Sequence, residues 1–388
     1  MNLLKISLAN IANKPLNTLL SLLLLSFGVG LISFLAILEV RLADQFDRNV
    51  KDIDLVLAAK GSPLQIMLSS VYHVDVPTGN IALSDVEALQ KDRWARGSIK
   101  QLIPLSYGDN YQSYRIVGTT RDYPDHFEMT LRKGDYWQIP VLDSSWHVVN
   151  NQPTSEQQIS DTLEVNVGSK VAENLELELG DTFFSAHGLD KQGEEHTNIL
   201  FKVVGIYNEG HCVIDQLILT SLESIWAIHP AMEDEPAKDK EITAALIKTN
   251  RKTDMFTLNN HKLIREGNMQ LAITSIETNR LNANFGIGLS ALRSIGIIVT
   301  IISFISVFIS LFNSLKERKY ELALLRTLGG SRGKVFRLIL QEGLILALAG
   351  YLIGLIISRL GLLIFSGRVS DKFHYSVGDI GMVKWEFV

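Results

Sequence analysis

Cysteine is almost absent: Cys212 is the only one in 388 residues. An intrachain disulfide is therefore excluded, and any large folded part must be held by its own apolar core. A phosphate-cradling glycine loop is missing too. Its nearest approach, Gly329-Gly-Ser-Arg-Gly-Lys334, has the wrong spacing, and Val335 stands where Ser or Thr would bind magnesium. No nucleophile constellation is visible. His211 directly precedes Cys212, but neighbours on a strand point to opposite faces. Low-complexity tracts and internal repeats are absent as well. The net charge of −5 says little about partners, because it averages over segments in different compartments, and no nucleic-acid partner is expected. Nothing in this inventory suggests an enzyme, and no cofactor is expected on this chain.

What is abundant is apolar sequence, at 46% of residues, and it is clustered. Runs at 16–40, 291–315 and 337–366 are each long enough for the roughly 20 helical residues that cross a hydrocarbon core of about 30 Å. The first run is longer than a signal-peptide core and lacks a small-residue cleavage site before Glu39, so it reads as an uncleaved anchor. The segment between the second and third runs carries Lys316, Arg318, Lys319, Arg326, Arg332, Lys334 and Arg337 against Glu317 and Glu321. By the positive-inside rule this short loop is cytoplasmic, and Lys5 and Lys14 put the N-terminus there too. Residues 41–290 are then extracytoplasmic, which in a bacterium means the periplasm or the outer surface, and a bacterial inner (plasma) membrane protein with its large domain in the periplasm is expected.

That large segment shows mixed signals. Ile99–Leu105, Tyr114–Gly118, Ile199–Tyr207, Gln216–Thr220 and Ile242–Lys248 read as strands. Ser84 and Glu87 form a capping-box pattern expected to open a helix over Asp85–Trp94, and Gly168–Leu175 and Ser221–Ile228 are further helix signals. The fold class expected is thus an α-helical transmembrane bundle plus a large mixed α/β domain. The polar stretches 150–160 and 230–240 read as loops or edges of an inserted subdomain. From Glu277 to Asn284 the sequence suits either a stalk helix or a flexible linker before Gly286.

Within the cytoplasmic loop, 316–336, a short helix over Tyr320–Leu328 would align Leu322, Leu325 and Leu328 on one face, with Gly329-Gly330 ending it. A leucine face held below a membrane suits a protein groove, or else the lipid interface. Gly350 and Gly354 form a small-xxx-small pattern for close helix packing, within the subunit or across a dimer. His187, His196, His211 and Cys212, with Glu194 and Glu195, are candidate metal ligands if 187–198 forms a hairpin, although their spacing matches no tight ligand pattern. Tyr72-His73-Val-Asp75, beside a turn at Gly61–Leu64, is a weaker metal candidate and reads rather as local structure.

The string from Glu317-Arg318 through Glu321-Leu-Ala-Leu-Leu-Arg-Thr-Leu-Gly-Gly330, with Phe336 and Glu342-Gly343 beyond it, resembles the signature of MacB/FtsX-type ABC transporter permeases, on the LolC/LolE-like side. The lead-in at 1–15, with Lys14-Pro15, is similar to the family's amphipathic N-terminus. Ile116–Thr120, Val167–Glu173 with Leu179–Asp181, and Phe201–Ile206 resemble its periplasmic core domain. The resemblance implies a non-catalytic mechanotransmission subunit. ATP and magnesium would sit on a separate cytoplasmic ATPase, and Glu317, Glu321, Leu325, Arg326 and Gly329 would couple to it. It also implies a dimer with itself or a paralogous permease, with a periplasmic protein or lipoprotein as a further partner. Export or extraction of a lipid-linked or amphipathic substrate is the leading role. Metal-related transport and a signal relay activating a periplasmic partner such as a wall hydrolase are the alternatives. The family has four spans, so 367–388 is expected to be an external tail before a fourth, lost by truncation or absent in a three-span variant.

Overall fold

The computed structural model describes residues 3–373 except 14, 143–145, 147, 149–160, 187–194, 229–238, 318 and 328–330. Helices α1 (Leu3–Ala12) and α2 (Pro15–Asn49) open the chain. Next come β1 (Leu55–Ala59), α3 (Pro63–Ser70), β2 (Ile81–Ala82), α4 (Leu83–Lys91), α5 (Arg93–Ser98), β3 (Ile99–Tyr111) and β4 (Tyr114–Thr119). The middle of the chain forms α6 (Asp122–His126), β5 (Leu131–Gly134), β6 (Asp161–Val167), α7 (Ser169–Asn174), β7 (Thr182–Ala186), β8 (Glu195–Tyr207), β9 (Ile218–Ser221) and α8 (Leu222–Ile228). Then follow β10 (Glu241–Ile242), β11 (Ala244–Thr249), α9 (Asp254–Asn259), α10 (Lys262–Glu266) and β12 (Met269–Ile273). Long helices α11 (Thr274–Glu317) and α13 (Arg332–Phe373) flank the short α12 (Lys319–Thr327).

These elements divide into two compact units, Met1–Ala43 with Asn282–Val388, and Asp44–Leu281. Among the described residues α2, α11 and α13 are long and apolar enough to cross a membrane. Each runs beyond the apolar stretch read from sequence, because charged and polar residues continue a helix at little cost once its apolar turns are formed. Thus α11 begins at Thr274, and 277–284 is helical rather than a flexible linker. Likewise α13 continues to Phe373, so the first residues of the expected polar tail are helical, while 374–388 lie outside the described residues. In the helical unit Leu31, Phe34, Leu35 and Leu38 pack with Leu289, and Phe34 meets Phe365 edge to face at 5.8 Å.

The α/β unit is built on a ten-stranded sheet with the order β12-β1-β11-β3-β4-β9-β6-β8-β5, β7 pairing with β3 and β8. The pairs β4 with β9 and β6 with β8 are parallel, and the others are antiparallel, which makes the sheet mixed. Two apolar cores lie along it. One gathers Leu55, Leu57, Leu89, Ile247, Leu258 and Leu271; the other gathers Ile116, Leu163, Val165, Phe201, Val203 and Ile218. Strand β1 is buried over its whole length, so it shows no polar alternation. It pairs antiparallel with β12, Leu55 opposite Ile273, and the Thr274 N–H donates to the Asp54 carbonyl at 3.1 Å. The segments by which the chain enters and leaves this unit therefore lie side by side.

Three local expectations are corrected. The Ser84 capping box does not form: α4 starts at Leu83 with Ala82 at its cap, and no side chain caps it. The expected single helix also breaks at Asp92, whose extended backbone frees its carboxylate to accept the Trp94 and Ala95 N–H groups and start α5. At 61–64 the turn resolves into the start of α3, with Pro63 at the first helical positions, where a missing N–H costs nothing.

Candidate functional site

The short helix α12 (Lys319–Thr327) lies in the chain between the membrane-length helices α11 and α13. At the end of α11 the Lys316 ammonium lies 4.9 Å from the Phe312 ring centre, the posture of a cation folded back over apolar surface. Beyond it, Tyr320 is 90% and Leu324 63% exposed, one helical turn apart on the same face. Arg326 is exposed, and the Thr327 hydroxyl donates to the Leu324 carbonyl at 2.8 Å near the helix end. Of the residues expected to couple, Glu317 closes α11 and is exposed, and Glu321, Leu322, Leu325 and Arg326 all lie on α12. The side chains of Glu321, Leu322 and Leu325 lie outside the described residues, as do Leu328 and Gly329 altogether. Sequence periodicity drew attention to the leucines at 322, 325 and 328. The aromatic–aliphatic pair Tyr320 and Leu324 was passed over, although its spacing of four was there to be read.

Gly350 and Gly354 act inside the subunit. A Cβ on Gly350 would lie 2.5 Å from Leu25 Cδ2, and one on Gly354 would lie 2.9 Å from both the Ser26 carbonyl oxygen and Val29 Cβ. Gly30 faces Gly354 in turn, its would-be Cβ 3.0 Å from the Gly354 carbonyl. Backbones of α2 and α13 thus approach so closely that only glycine fits, as small-residue membrane interfaces do. One turn beyond, the Ser33 and Ser358 hydroxyls hydrogen-bond at 3.0 Å. Glu39 of α2 and Arg293 of α11 form an ion pair in the same unit.

The metal expectation gains no support among the described residues, where no cluster of three or more ligand-type side chains occurs. His187 lies outside them, and so does the side chain of His196, although its backbone is in β8. His211 and Cys212 diverge, as expected of neighbours. His211 is exposed with Nδ1 3.6 Å from Glu209, whereas Cys212 is 7% exposed and its thiol points at Met129 Sδ, 3.7 Å away. Burial, with the nearby Asp215 carboxylate, pushes the Cys212 thiol up to about 12. It is a packing residue.

Where α2 ends and α11 begins, the α/β unit holds a polar cavity of about 330 Å³, lined by Asp47, Asp54, Lys252, Thr274 and Thr278 among others. Asp54 accepts from the Thr249 N–H and hydroxyl, both at 2.8 Å, and from Lys252 Nζ at 2.5 Å. Burial raises its carboxyl, but the lysine and the two threonine donors outweigh that and hold it below its ordinary value. Next to this, Tyr72 donates or accepts at 3.3 Å with Thr278, and His73 Nε2 lies 3.0 Å from the Tyr123 hydroxyl. Burial and then Arg115 hold His73 well below the ordinary histidine value. The sequence reading treated 72–75 as local structure, since no pattern links a loop to partners 50 to 200 residues away.

Residues 293–383 match the family described as FtsX-like permease C-terminal, a stretch that includes the end of α11 and the whole of α12 and α13. The C-terminal part of this chain is thus similar to the FtsX-like permease C-terminal family. A solved structure described as the extracellular domain of the noncanonic ABC-type transporter YknZ from Gram-positive bacteria is similar at 13% identity, covering 56% of this chain and 98% of that one, with a TM-score of 0.31. No curated protein matches the chain.

Proposed function

We propose that this chain is the permease subunit of an ABC-type transporter, and that it relays the ATP-driven motion of a separate cytoplasmic ATPase to its extracytoplasmic α/β unit. The observation that carries this reading is the FtsX-like match over 293–383, which takes in a short helix that presents Tyr320 and Leu324 to its surroundings between two membrane-length helices. Two large apolar side chains exposed on a nine-residue helix are costly unless covered, since a fully buried leucine gains about 1.5–3 kcal/mol. A groove on a soluble ATPase would cover them. The neighbouring basic residues Lys316, Lys319 and Arg326 keep the segment on the cytoplasmic side. In this reading Glu317, Glu321, Leu322, Leu325, Arg326, Leu328 and Gly329 belong to the same docking segment. ATP and magnesium are bound by the ATPase and not by this chain.

The cargo in this reading is a lipid-linked or amphipathic molecule extracted or exported at the outer side of the inner membrane, and its support is the family resemblance of the motif at 317–330. Photo-crosslinking tests the docking. With a photoreactive residue at 320 or 324, the chain should form a nucleotide-insensitive adduct with an ABC-type ATPase, identified by its phosphate-binding loop peptide. Adducts only to lipid from both positions would refute the docking.

A further inference from the structure

Three residues of the loop after α3, Tyr72, His73 and Asp75, touch elements far apart in the α/β unit. The Tyr72 ring packs edge to face on Phe46 of α2 at 5.2 Å, and its hydroxyl bonds Thr278 of α11 at 3.3 Å. His73 reaches the other way. Its Nε2 meets the Tyr123 hydroxyl of α6 at 3.0 Å, and its ring lies edge-on to Tyr107 of β3 at 5.3 Å. Two residues on, the Asp75 carbonyl accepts from Arg115 of β4 at 2.8 Å, and that guanidinium sits 4.9 Å above the Tyr107 ring.

Sheet order makes this arrangement informative. Both long helices are continuous or nearly so with β1 and β12, which lie at one edge, whereas β3 and β4 are in the middle, beyond β11. The loop bypasses β11 and ties the helix ends directly to the centre. Ordinary packing does not account for its composition. Arg115 is 6% exposed, and its Nε, like Nδ1 of His73, is buried without a hydrogen-bond partner among the described residues. Burying a guanidinium with unmade bonds is costly, and an apolar residue would pack the site at lower cost. His73 also sits in the left-handed backbone region, at φ +55°, a conformation that non-glycine residues keep only where the surroundings enforce it. Unmade bonds and a left-handed residue thus fall together at this loop.

We infer that the 72–75 loop is a strut that carries displacement of the α2 and α11 ends to β3 and β4, with Tyr72, His73 and Arg115 as positioning residues. This rests on the relay function proposed above for its purpose, but its mechanical claim is tested without any ATPase. The full chain in lipid nanodiscs is compared by hydrogen exchange with Tyr72→Phe, Thr278→Val and the double variant, each of which removes a hydroxyl and leaves the packing. The strut predicts that either substitution speeds exchange of the amides at 105–117 by about five-fold, as loss of one ordinary hydrogen bond does to an opening equilibrium. The double variant should add nothing further, and amides of β6 and β8 should be unchanged. Faster exchange confined to 70–73 and 274–280, or spread evenly over the whole α/β unit, would overturn the strut. If an ATPase binds, vanadate trapping should alter exchange at 105–117 in the wild type but not in Tyr72→Phe, with hydrolysis intact. Absent ATPase binding would count against the permease reading and leave the nanodisc result standing.

Discussion

Replacing Gly354 by alanine puts the closeness of α2 and α13 to a quantitative test. The new methyl would lie 2.9 Å from the Ser26 carbonyl oxygen, 2.9 Å from Val29 Cβ and 3.0 Å from Val29 Cγ1. Non-bonded carbons prefer roughly 3.5–4.0 Å, so the helices must part by roughly 0.5–1 Å, and a gap of that size forfeits a quarter to a half of each contact across the seam. Overpacking of this kind costs about 1–3 kcal/mol. Alanine also favours a helix over glycine, by up to about 1 kcal/mol, which would mask part of the loss. A control removes that ambiguity: at Gly286 of α11 a Cβ would meet nothing within 4 Å. The expected result is that Gly354→Ala is less stable than Gly286→Ala by about 1–3 kcal/mol, or roughly five- to 150-fold in the folding equilibrium. Gly350→Ala falls between them, because the obstructing atoms belong to the Leu25 side chain, which can turn aside in part. The assay is an SDS titration in mixed micelles, followed by energy transfer between dyes on α2 and α13. Gly354→Ala as stable as Gly286→Ala would refute the argument.

Leu324→Glu should weaken ATPase binding at least about 100-fold in a pull-down titration, since it trades buried apolar area for an unpaired carboxylate. Leu324→Met should be nearly neutral there. The Cys212 thiol, being buried and pushed up to about 12, should resist maleimide at pH 8 in the folded chain and react within minutes in denaturant; rapid labelling of folded protein would contradict its placement. Acid should loosen the α/β unit at two points. Both Asp54 and His73 have folded values below their unfolded ones, so in each case the unfolded chain binds the proton first and stability falls as pH falls. The histidine contribution fades below about pH 6.5 and the aspartate contribution below about pH 4, read as exchange rates near 73 and 249. A His73→Gln variant should lose the first step and keep the second.

Much of the architecture was legible in the sequence because its signals are long. Three apolar runs of membrane length, a basic loop between two of them, and apolar stretches bounded by turn residues such as Tyr114–Gly118 announce helices and strands without help from tertiary contacts. Strand β1 was missed for a physical reason: Leu-Val-Leu-Ala-Ala is buried on both faces and so lacks the polar alternation that marks a half-buried strand. Its partner β12 lies some 200 residues away, and no local pattern records such a pairing. Helix boundaries went wrong where one side chain decides, as at Asp92, which ends one helix and caps the next. In the candidate site the helix at 319–327 was anticipated; the exposed Tyr320–Leu324 pair on it was not singled out, and the side chains of Leu322 and Leu325 lie outside the described residues. The loop at 72–75 was noticed but its partners were not, because only folding brings Phe46, Thr278, Tyr107 and Arg115 around it.

The central claim is that this chain couples to a soluble motor through α12. It is tested most directly by purifying the chain from its native membranes in mild detergent and measuring vanadate-sensitive ATP hydrolysis in the eluate, for the wild type and for Leu324→Glu at equal yield. The account predicts robust hydrolysis with the wild type, an ABC-type ATPase identified by mass spectrometry in the same fraction, and loss of both with the glutamate. Hydrolysis that is absent from the wild type, or that survives Leu324→Glu unchanged, would contradict it.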